Sequence, residues 1–383
     1  MIDCDALVVG GGPAGSTCAR ILKNAGLDVV VADRARFPRD KVCAGWLTPR
    51  VFALLDLDPD DYRSAGLTLQ EIDAFRTGVI GGTTIETRYP GVVSYAIRRC
   101  EFDAFLLRRS GARVLEDTPI AAFRRDGDAW IVNERLRTPL IVGAGGHLCP
   151  VARHLRGKPD TRQPVVAKEA EFLYGDGDDR HARAPELLFC RDMQGYAWCV
   201  RKGRYLNVGI GRRDPHAFGA HIKGFMTLLR ANGIDADETQ VKWRGHAYFA
   251  AGVGPRPLVG PGALVVGDAA GLAYPESGEG ICPAIESGRR AAETIVAAHG
   301  RYSLDALQPY EAAITRQHPA SWPQPAPIRA VSAAAGRVLL GSRAFTRRIL
   351  LDRWFLRSPG GVNCVETARN RQKPAIPAAT STL

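Results

Sequence analysis

The chain contains no run of about 18 uninterrupted apolar residues, the length a membrane-spanning helix needs, so no such helix is expected. It also lacks Cys-x-x-Cys pairs. Nine cysteines stand at positions 4, 18, 43, 100, 149, 190, 199, 282 and 364 with no ladder of spacings, which argues against a disulfide scaffold and fits reduced thiols in a cytoplasmic protein. No basic residue precedes the first apolar run in MIDCDALVVGGG. That run closes on glycines, so it reads as a strand entering a turn rather than as a signal peptide. His147 and His154 have no third ligand at metal-binding spacing, and no metal is expected. There is no Gly-x-Ser-x-Gly elbow and no serine with an evident base, so a hydrolase is set aside. Acidic residues are under-represented, 40 against 51 Lys and Arg, leaving a formal charge of +11. The excess suits a pyrophosphate cofactor or an anionic membrane surface. With no Lys/Arg run interleaved with aromatics, nucleic acid is not an expected partner.

What is present suffices for a large core: 45% of residues are apolar, 24% are charged, and nothing suggests wholesale disorder. At 383 residues the chain exceeds what one core usually supports. The expected fold class is α/β, a Rossmann-like nucleotide-binding domain carrying an inserted mixed or antiparallel β-sheet domain and a helical C-terminal region. The expected boundaries assign 1–75, 98–160 and 258–300 to cofactor binding, 76–97 and 161–257 to substrate, and 301–372 to the C-terminal helices. Residues 373–383, KPAIPAATSTL, read as a frayed tail.

Ala6–Val9 is a short buried strand, followed by the turn Gly10-Gly11-Gly12-Pro13-Ala14-Gly15 and a helix with Ala14, Cys18, Ile21/Leu22 and Ala25 on one side, ended by Gly26. A second strand, Val29–Ala32, finishes on Asp33, completing a β-α-β unit of about 30 residues. Gly10, Gly12 and Gly15 provide a tight turn, close approach of backbone to pyrophosphate, and close helix packing, with phosphate at the positive helix N-terminus. Asp33, with Arg34 beside it, suits the ribose hydroxyls. This context makes the glycines a dinucleotide site.

The far segment LVVGDAAGLAYPESGEGICPAIESG points to FAD, which is long enough to need a second anchor. Asp268 suits the ribityl hydroxyls. Gly278, Gly280 and Ile281 lie where a helix begins, and its N-terminus would stabilise negative charge developing on the isoalloxazine. Strands are also expected at Leu140–Val142 and Ala263–Val266, and a long helix from about Ile281 with Ile285, Gly288, Ala292 and Ile295 facing inward. Between 160 and 257, YAWCV and RYLNVGIG have strand character with RKG as the turn between them. In GRVLLGSRAFTRRILLDRWFLR, arginines alternate with Leu339, Phe345, Leu350, Trp354 and Leu356. The favoured role is a cap over the core with snorkelling arginines, with peripheral membrane contact as the alternative.

These motifs resemble the geranylgeranyl reductase-like branch of the FAD-dependent oxidoreductases, relatives of the aromatic hydroxylases and flavin-dependent halogenases, over roughly residues 5 to 300. The resemblance implies that RFPRDKVCAGWLTPR carries Lys41, Cys43 and Ala44 past the flavin. It makes Arg99, in RRCEFDAFLLRR, a cofactor contact, and places Tyr196 and Trp198, in GYAWCVRKGRYLNVGIG, on the pocket wall. Cys43, Tyr196 and Trp198 are the catalytic candidates, set against plain packing roles. Where many relatives carry Asp-Gly, this chain has Gly145-Gly146, which puts direct reduction by NAD(P)H in doubt and raises a separate electron donor. Cys199-Val200 stands where a Phe-Pro often follows the Tyr/Trp motif, which counts against a halogenase.

The expected activity is reduction, or dehydrogenation, of a C=C bond in an apolar isoprenoid, lipid-like or natural-product substrate, with Cys43 or Tyr196 as the acid. A flavin-dependent monooxygenase and a non-catalytic flavin-binding redox sensor are the alternatives. The partner is a small apolar molecule, and the protein itself is a monomer or dimer.

Overall fold

The computed structural model describes residues 1–157, 163–175, 181, 183–236, 241–252, 256–318 and 326–357, with backbone alone for 326–332. The expected tail, Cys364 and residues 319–325 of the proline-rich run lie outside the described residues.

The glycine turn joins two strands of a six-stranded sheet whose order is Val259–Gly260, Ala263–Val265, Ile141–Gly143, Ala6–Val9, Val29–Ala32, Arg113–Leu115. All neighbours are parallel except the first pair. Ala6–Val9 and Val29–Ala32 are buried at every position, as strands covered on both faces must be. From Ala6–Val9 the chain moves first to one side and later returns on the other. The carboxyl end of that strand is therefore the switch point at which α/β sheets open a ligand crevice.

The helix Pro13–Asn24 follows the turn and buries Ala14, Cys18 and Leu22. Gly26, at φ +89°, ends it in the left-handed region. The helix Ile281–Ala297 crosses close to it: a Cβ on Gly288 would meet the Ala14 carbonyl oxygen at 2.3 Å. Ile281, Ile285, Gly288, Ala292 and Ile295 are all buried, as their spacing predicts. The Tyr310 hydroxyl donates to the Val265 carbonyl at 2.7 Å and ties the helix Leu304–Gln317 to the sheet.

A second sheet of seven strands runs Arg244–Tyr248, Val165–Leu173, Tyr205–Arg212, Gly195–Lys202, Glu186–Phe189, Ala74–Val79, Thr84–Arg88. It is antiparallel apart from the pairing of Glu186–Phe189 with Ala74–Val79. The turn expected at RKG is shorter than the sequence suggests. Arg201 and Lys202 stay in the strand and only Gly203 and Arg204 turn, because both side chains are buried and bonded, Arg201 to the Gly203 carbonyl and Lys202 to Glu171. The helix Phe218–Ala231 covers one face of this sheet through Ile222, Phe225 and Leu229.

The other face meets the C-terminal segment, made of the helix Ala326–Leu340 and a π-helical stretch Thr346–Phe355. Leu340, Leu350, Leu351, Phe355 and Leu356 pack there with Ile72, Phe75, Trp198 and Val200. Arg337, Arg343, Arg347, Arg348 and Arg353 are exposed, the cap with outward arginines favoured above. Leu339 departs from its expected stripe and is 43% exposed, beside Val338 at 78%.

Candidate functional site

One cavity of about 1430 Å³ extends from the glycine turn to the C-terminal segment. That exceeds the roughly 300–1,000 Å³ of ordinary small-molecule pockets and leaves room for a dinucleotide and a second ligand. At its nucleotide end Gly10 sits at φ +114°, and a Cβ there would lie 2.4 Å from the Ala144 carbonyl oxygen. A Cβ on Gly15 would lie 2.0 Å from the Gly10 carbonyl oxygen. Gly10 needs glycine for both conformation and space, and Gly15 for space. Gly12 caps the helix that Pro13 begins, so its first N–H groups face the cavity without side-chain obstruction.

Asp33, 8% exposed, accepts N–H groups from Gly11 at 2.7 Å and Ala35 at 2.9 Å, one on each oxygen. A carboxylate has further acceptor capacity for ribose hydroxyls. Arg99 holds Asp103 through two 2.8 Å hydrogen bonds, and Arg39 approaches the same carboxylate at 3.2 Å. Burial opposes charge on Arg99, and Asp103 more than offsets it, so its pKa stands above the ordinary value. Two guanidiniums sharing one carboxylate leave a net positive charge. The Arg39 Nη1 is buried without a partner among the described residues, and Nη2 is 3.6 Å from where a Gly12 side chain would begin. A pyrophosphate at the turn would supply the missing acceptor. The residues present fit FAD.

Further in, Asp268 faces Lys41 at 4.0 Å and His246 at 3.8 Å, and Lys41 Nζ lies 2.5 Å from His246 Nε2. Burial disfavours the Asp268 carboxylate, but His246 and Lys41 outweigh it and hold the group at about 2. Burial lowers Lys41 to about 8 and His147, against His246, to about 4. Near neutral pH this cluster therefore holds one carboxylate, one ammonium and a neutral His147. A Cβ on Gly280 would lie 3.2 Å from Asp268, which brings the start of the helix Ile281–Ala297 against that carboxylate.

At the inner end Tyr196 and Trp198 share the cavity face of strand Gly195–Lys202, following the period of two. The Tyr196 hydroxyl donates to the Ser277 carbonyl at 2.5 Å, and burial pushes its pKa well up. The Trp198 indole donates to Asn207 at 2.7 Å. The Cys43 N–H donates to Glu169 at 2.7 Å and Lys202 donates to the Cys43 carbonyl at 3.3 Å, so two side chains of the inserted sheet clamp the loop bearing this thiol. Burial pushes Glu169 up to about 7. Beyond Tyr196 the wall turns apolar, with Phe355 at 5.5 Å between ring centres and Leu340, Phe345, Leu350 and Trp354 around it.

Of the residues singled out from sequence, the turn residues Gly10, Gly12, Pro13 and Ala14, then Asp33 and Arg34, line this cavity. So do Lys41, Cys43, Ala44, Arg99, Tyr196 and Trp198, and Asp268 with Gly278, Gly280 and Ile281. Gly15 is one layer behind, packed on Gly10. Arg39, His147, His246, Tyr248, Glu279 and the C-terminal wall were not foreseen. Glu279 alone carried a local signal, since it stands between two glycines already marked. Among the described residues no group of three His, Cys, Asp or Glu is placed to hold a metal, and no helix is long and apolar enough to cross a membrane.

Residues 3–87 match the FAD binding domain family. The chain is 31% identical over 322 residues to the geranylgeranyl diphosphate reductase of Rhodobacter capsulatus, covering 76% of this chain and 75% of that protein. It is 30% identical over 321 residues to the menaquinone reductase of Mycobacterium tuberculosis, covering 76% of each. A geranylgeranyl bacteriochlorophyll reductase-like protein from Thermoplasma acidophilum shares the fold, with a TM-score of 0.69 at 22% identity over 89% of this chain and 88% of that one. With a cradle for the dinucleotide joined to an apolar chamber, and relatives matched along three quarters of its length, the chain belongs to the geranylgeranyl reductase family of FAD-dependent oxidoreductases.

Proposed function

We propose that the protein reduces a carbon–carbon double bond in an apolar, polyprenyl-type substrate. The carrying observation is the continuity of one cavity from the glycine turn to the apolar wall of Leu340, Phe345, Leu350, Trp354 and Phe355. The similar proteins from Rhodobacter capsulatus and Mycobacterium tuberculosis, named for geranylgeranyl diphosphate and menaquinone, support the substrate class. A chamber of this size beside the cofactor cradle argues against a redox sensor whose pocket is filled by its own side chains.

FAD, when bound, supplies the hydride chemistry. Gly10, Gly12, Pro13, Ala14 and Arg39 receive its pyrophosphate, Asp33 and Arg34 the ribose, and Arg99, Lys41 and Asp268 the middle of the molecule. Cys43, Ala44, Gly278, Gly280 and Ile281 border its reacting end. Tyr196 and Trp198 press the substrate chain toward that end and exclude water, which the apolar wall completes. The expected boundary at 75 falls inside the strand Ala74–Val79 of the second sheet, so the nucleotide would be held by 1–73, 98–160 and 258–300, and the substrate by 74–97, 161–257 and the C-terminal segment.

Gly145-Gly146 in place of an Asp-Gly pair favours a separate electron donor over NAD(P)H. Exposed Val338 and Leu339 amid Arg337, Arg343, Arg347 and Arg348 suit contact with an anionic membrane surface, from which an apolar substrate would enter.

The test is anaerobic. Purified protein is titrated with NADPH, NADH and dithionite while the flavin absorbance is followed, and geranylgeranyl diphosphate is then added. Bleaching by dithionite followed by a product two hydrogens heavier is expected. Rapid bleaching by NADPH would remove the separate donor. Substrate-dependent oxygen consumption in air, with no anaerobic product, would replace the reductase with a monooxygenase.

A further inference from the structure

Resting on the reduction proposed above, we infer that Glu279 is the acid that supplies the proton completing saturation of the double bond. It lies between Gly278 and Gly280, immediately ahead of the helix Ile281–Ala297, and lines the cavity. Its Oε1 is buried and has no hydrogen-bond partner among the described residues. The other carboxylates on the wall are committed. Asp33 accepts the Gly11 and Ala35 N–H groups, Asp40 pairs with Arg244, Asp268 faces Lys41 and His246, and Glu276 accepts from Arg357 at 2.9 Å.

A buried carboxyl with an empty oxygen is costly as an anion and holds its proton instead. Burial pushes Glu279 up to about 7, while Arg357 and the Cys282 backbone N–H, which the carboxyl accepts, pull the other way. The charged and titratable groups facing it are Arg357 from the C-terminal segment, Arg50 from the helix Pro49–Leu54, Cys282 and Glu286 from the long helix, Tyr274 from its own loop and Tyr196 from the sheet. An acid poised there gives up a proton near neutral pH and regains it readily.

The position is at the reacting end. A Cβ on the adjacent Gly278 would lie 2.4 Å from the Tyr248 hydroxyl and 3.8 Å from that of Tyr196. Tyr196 is the poorer donor, since its own proton goes to the Ser277 carbonyl and burial makes it less acidic. The Cys43 sulfur accepts the Gly45 N–H at 3.3 Å and shapes the loop.

Addition across the double bond breaks its π bond and forms two C–H bonds. One carbon receives a hydride, with two electrons, from the reduced cofactor, which is oxidised. The other receives the proton of the Glu279 carboxyl, and the carboxylate left behind is reprotonated from solvent.

Wild type, Glu279→Gln, Glu279→Asp and Cys43→Ala holoenzymes, reduced anaerobically by dithionite, are mixed with geranylgeranyl diphosphate, and single-turnover product is followed against pH. Glu279→Gln is expected to slow product formation by about 100-fold or more, with flavin content and dithionite reduction unchanged. The wild-type rate falls as pH rises through about 7, and Glu279→Asp restores part of the rate with that limb displaced. In the infrared, Glu279→Gln loses part of the protonated-carboxyl absorption that titrates near pH 7 in wild type, and Glu169 accounts for what remains. A Glu279→Gln enzyme with wild-type rate and pH limb, or with that absorption undiminished, overturns the assignment. Loss of the limb in Cys43→Ala alone gives the role to Cys43. A wild type that turns over no polyprenyl substrate sinks the reductase proposal itself, whereas an active wild type with an indifferent Glu279→Gln sinks only the acid.

Discussion

Single atoms decide whether this site works, and Gly15 is the clearest case. A methyl group there would lie 2.0 Å from the Gly10 carbonyl oxygen, a distance only backbone movement can relieve. Gly15→Ala should cost about 1–3 kcal/mol or more and open the phosphate cradle. The purified variant should lack the flavin absorbance that wild type retains after gel filtration, and equal retention would refute the packing account. Glu169 provides a pH signature. Its folded pKa of about 7 lies above the ordinary 4.5 because it is buried, so the folded state keeps a proton that the unfolded chain releases. Stability is therefore full below pH 4.5, declines by on the order of 3 kcal/mol as pH rises to about 7, and is flat above that. Glu169→Gln still accepts the Cys43 N–H and should remove this slope from a plot of Tm against pH. A slope identical to wild type would mean that other groups cause it. Neither Glu169 nor Arg39 was legible in sequence, because each derives its role from a partner far along the chain, Cys43 for the first and Asp103 for the second.

Elements place these atoms, and the crossing of two helices sets the cofactor end. Pro13–Asn24 presents its N-terminus to the cavity, and Ile281–Ala297 crosses it at Gly288. A Cβ on Gly288 would meet the Ala14 carbonyl oxygen at 2.3 Å. Gly288→Ala should therefore push the helices apart, destabilise the protein by about 1–3 kcal/mol, and weaken FAD binding at the same time. Urea unfolding and a fluorescence titration with FAD would show both effects, and a loss of stability with unchanged FAD affinity would show that the helix N-terminus has not moved. Periodicity found both helices and the first two strands because each buries a full stripe or a full run of side chains. The turn at RKG was misread because Arg201 and Lys202 look like turn residues until the buried groups that satisfy them are known.

For the whole molecule, the C-terminal segment closes the chamber and carries its outer surface. Leu340, Leu350 and Phe355 face the sheet and Leu339 sits half-exposed at the cavity's edge, while Val338 is exposed with Arg337, Arg343, Arg347 and Arg348 along the same segment. A surface of this kind binds anionic vesicles through apolar insertion and charge together. Val338→Asp should reduce sedimentation with anionic vesicles several-fold and leave turnover of a detergent-dispersed substrate unchanged, since Val338 is 78% exposed and off the cavity wall. High salt should weaken the same sedimentation in wild type, since it screens the arginine charges. Wild-type protein that stays in the supernatant with anionic vesicles at low salt would remove the membrane contact.

The cofactor half of this protein is readable from local patterns. The glycine turn, Asp33, Asp268 and the helix beginning at Ile281 are local patterns, and phosphate recognition by a strand, a turn and a helix end needs nothing from elsewhere in the chain. Most of the substrate half depends on contacts between distant segments. Tyr196 and Trp198 were marked by resemblance, but the chamber forms only where Trp198 on one sheet meets Phe355 of the C-terminal segment and Glu279 in the loop ahead of the helix Ile281–Ala297. Apolar walls and buried acids acquire their properties from whatever packs around them, and that environment is written in no single stretch of residues.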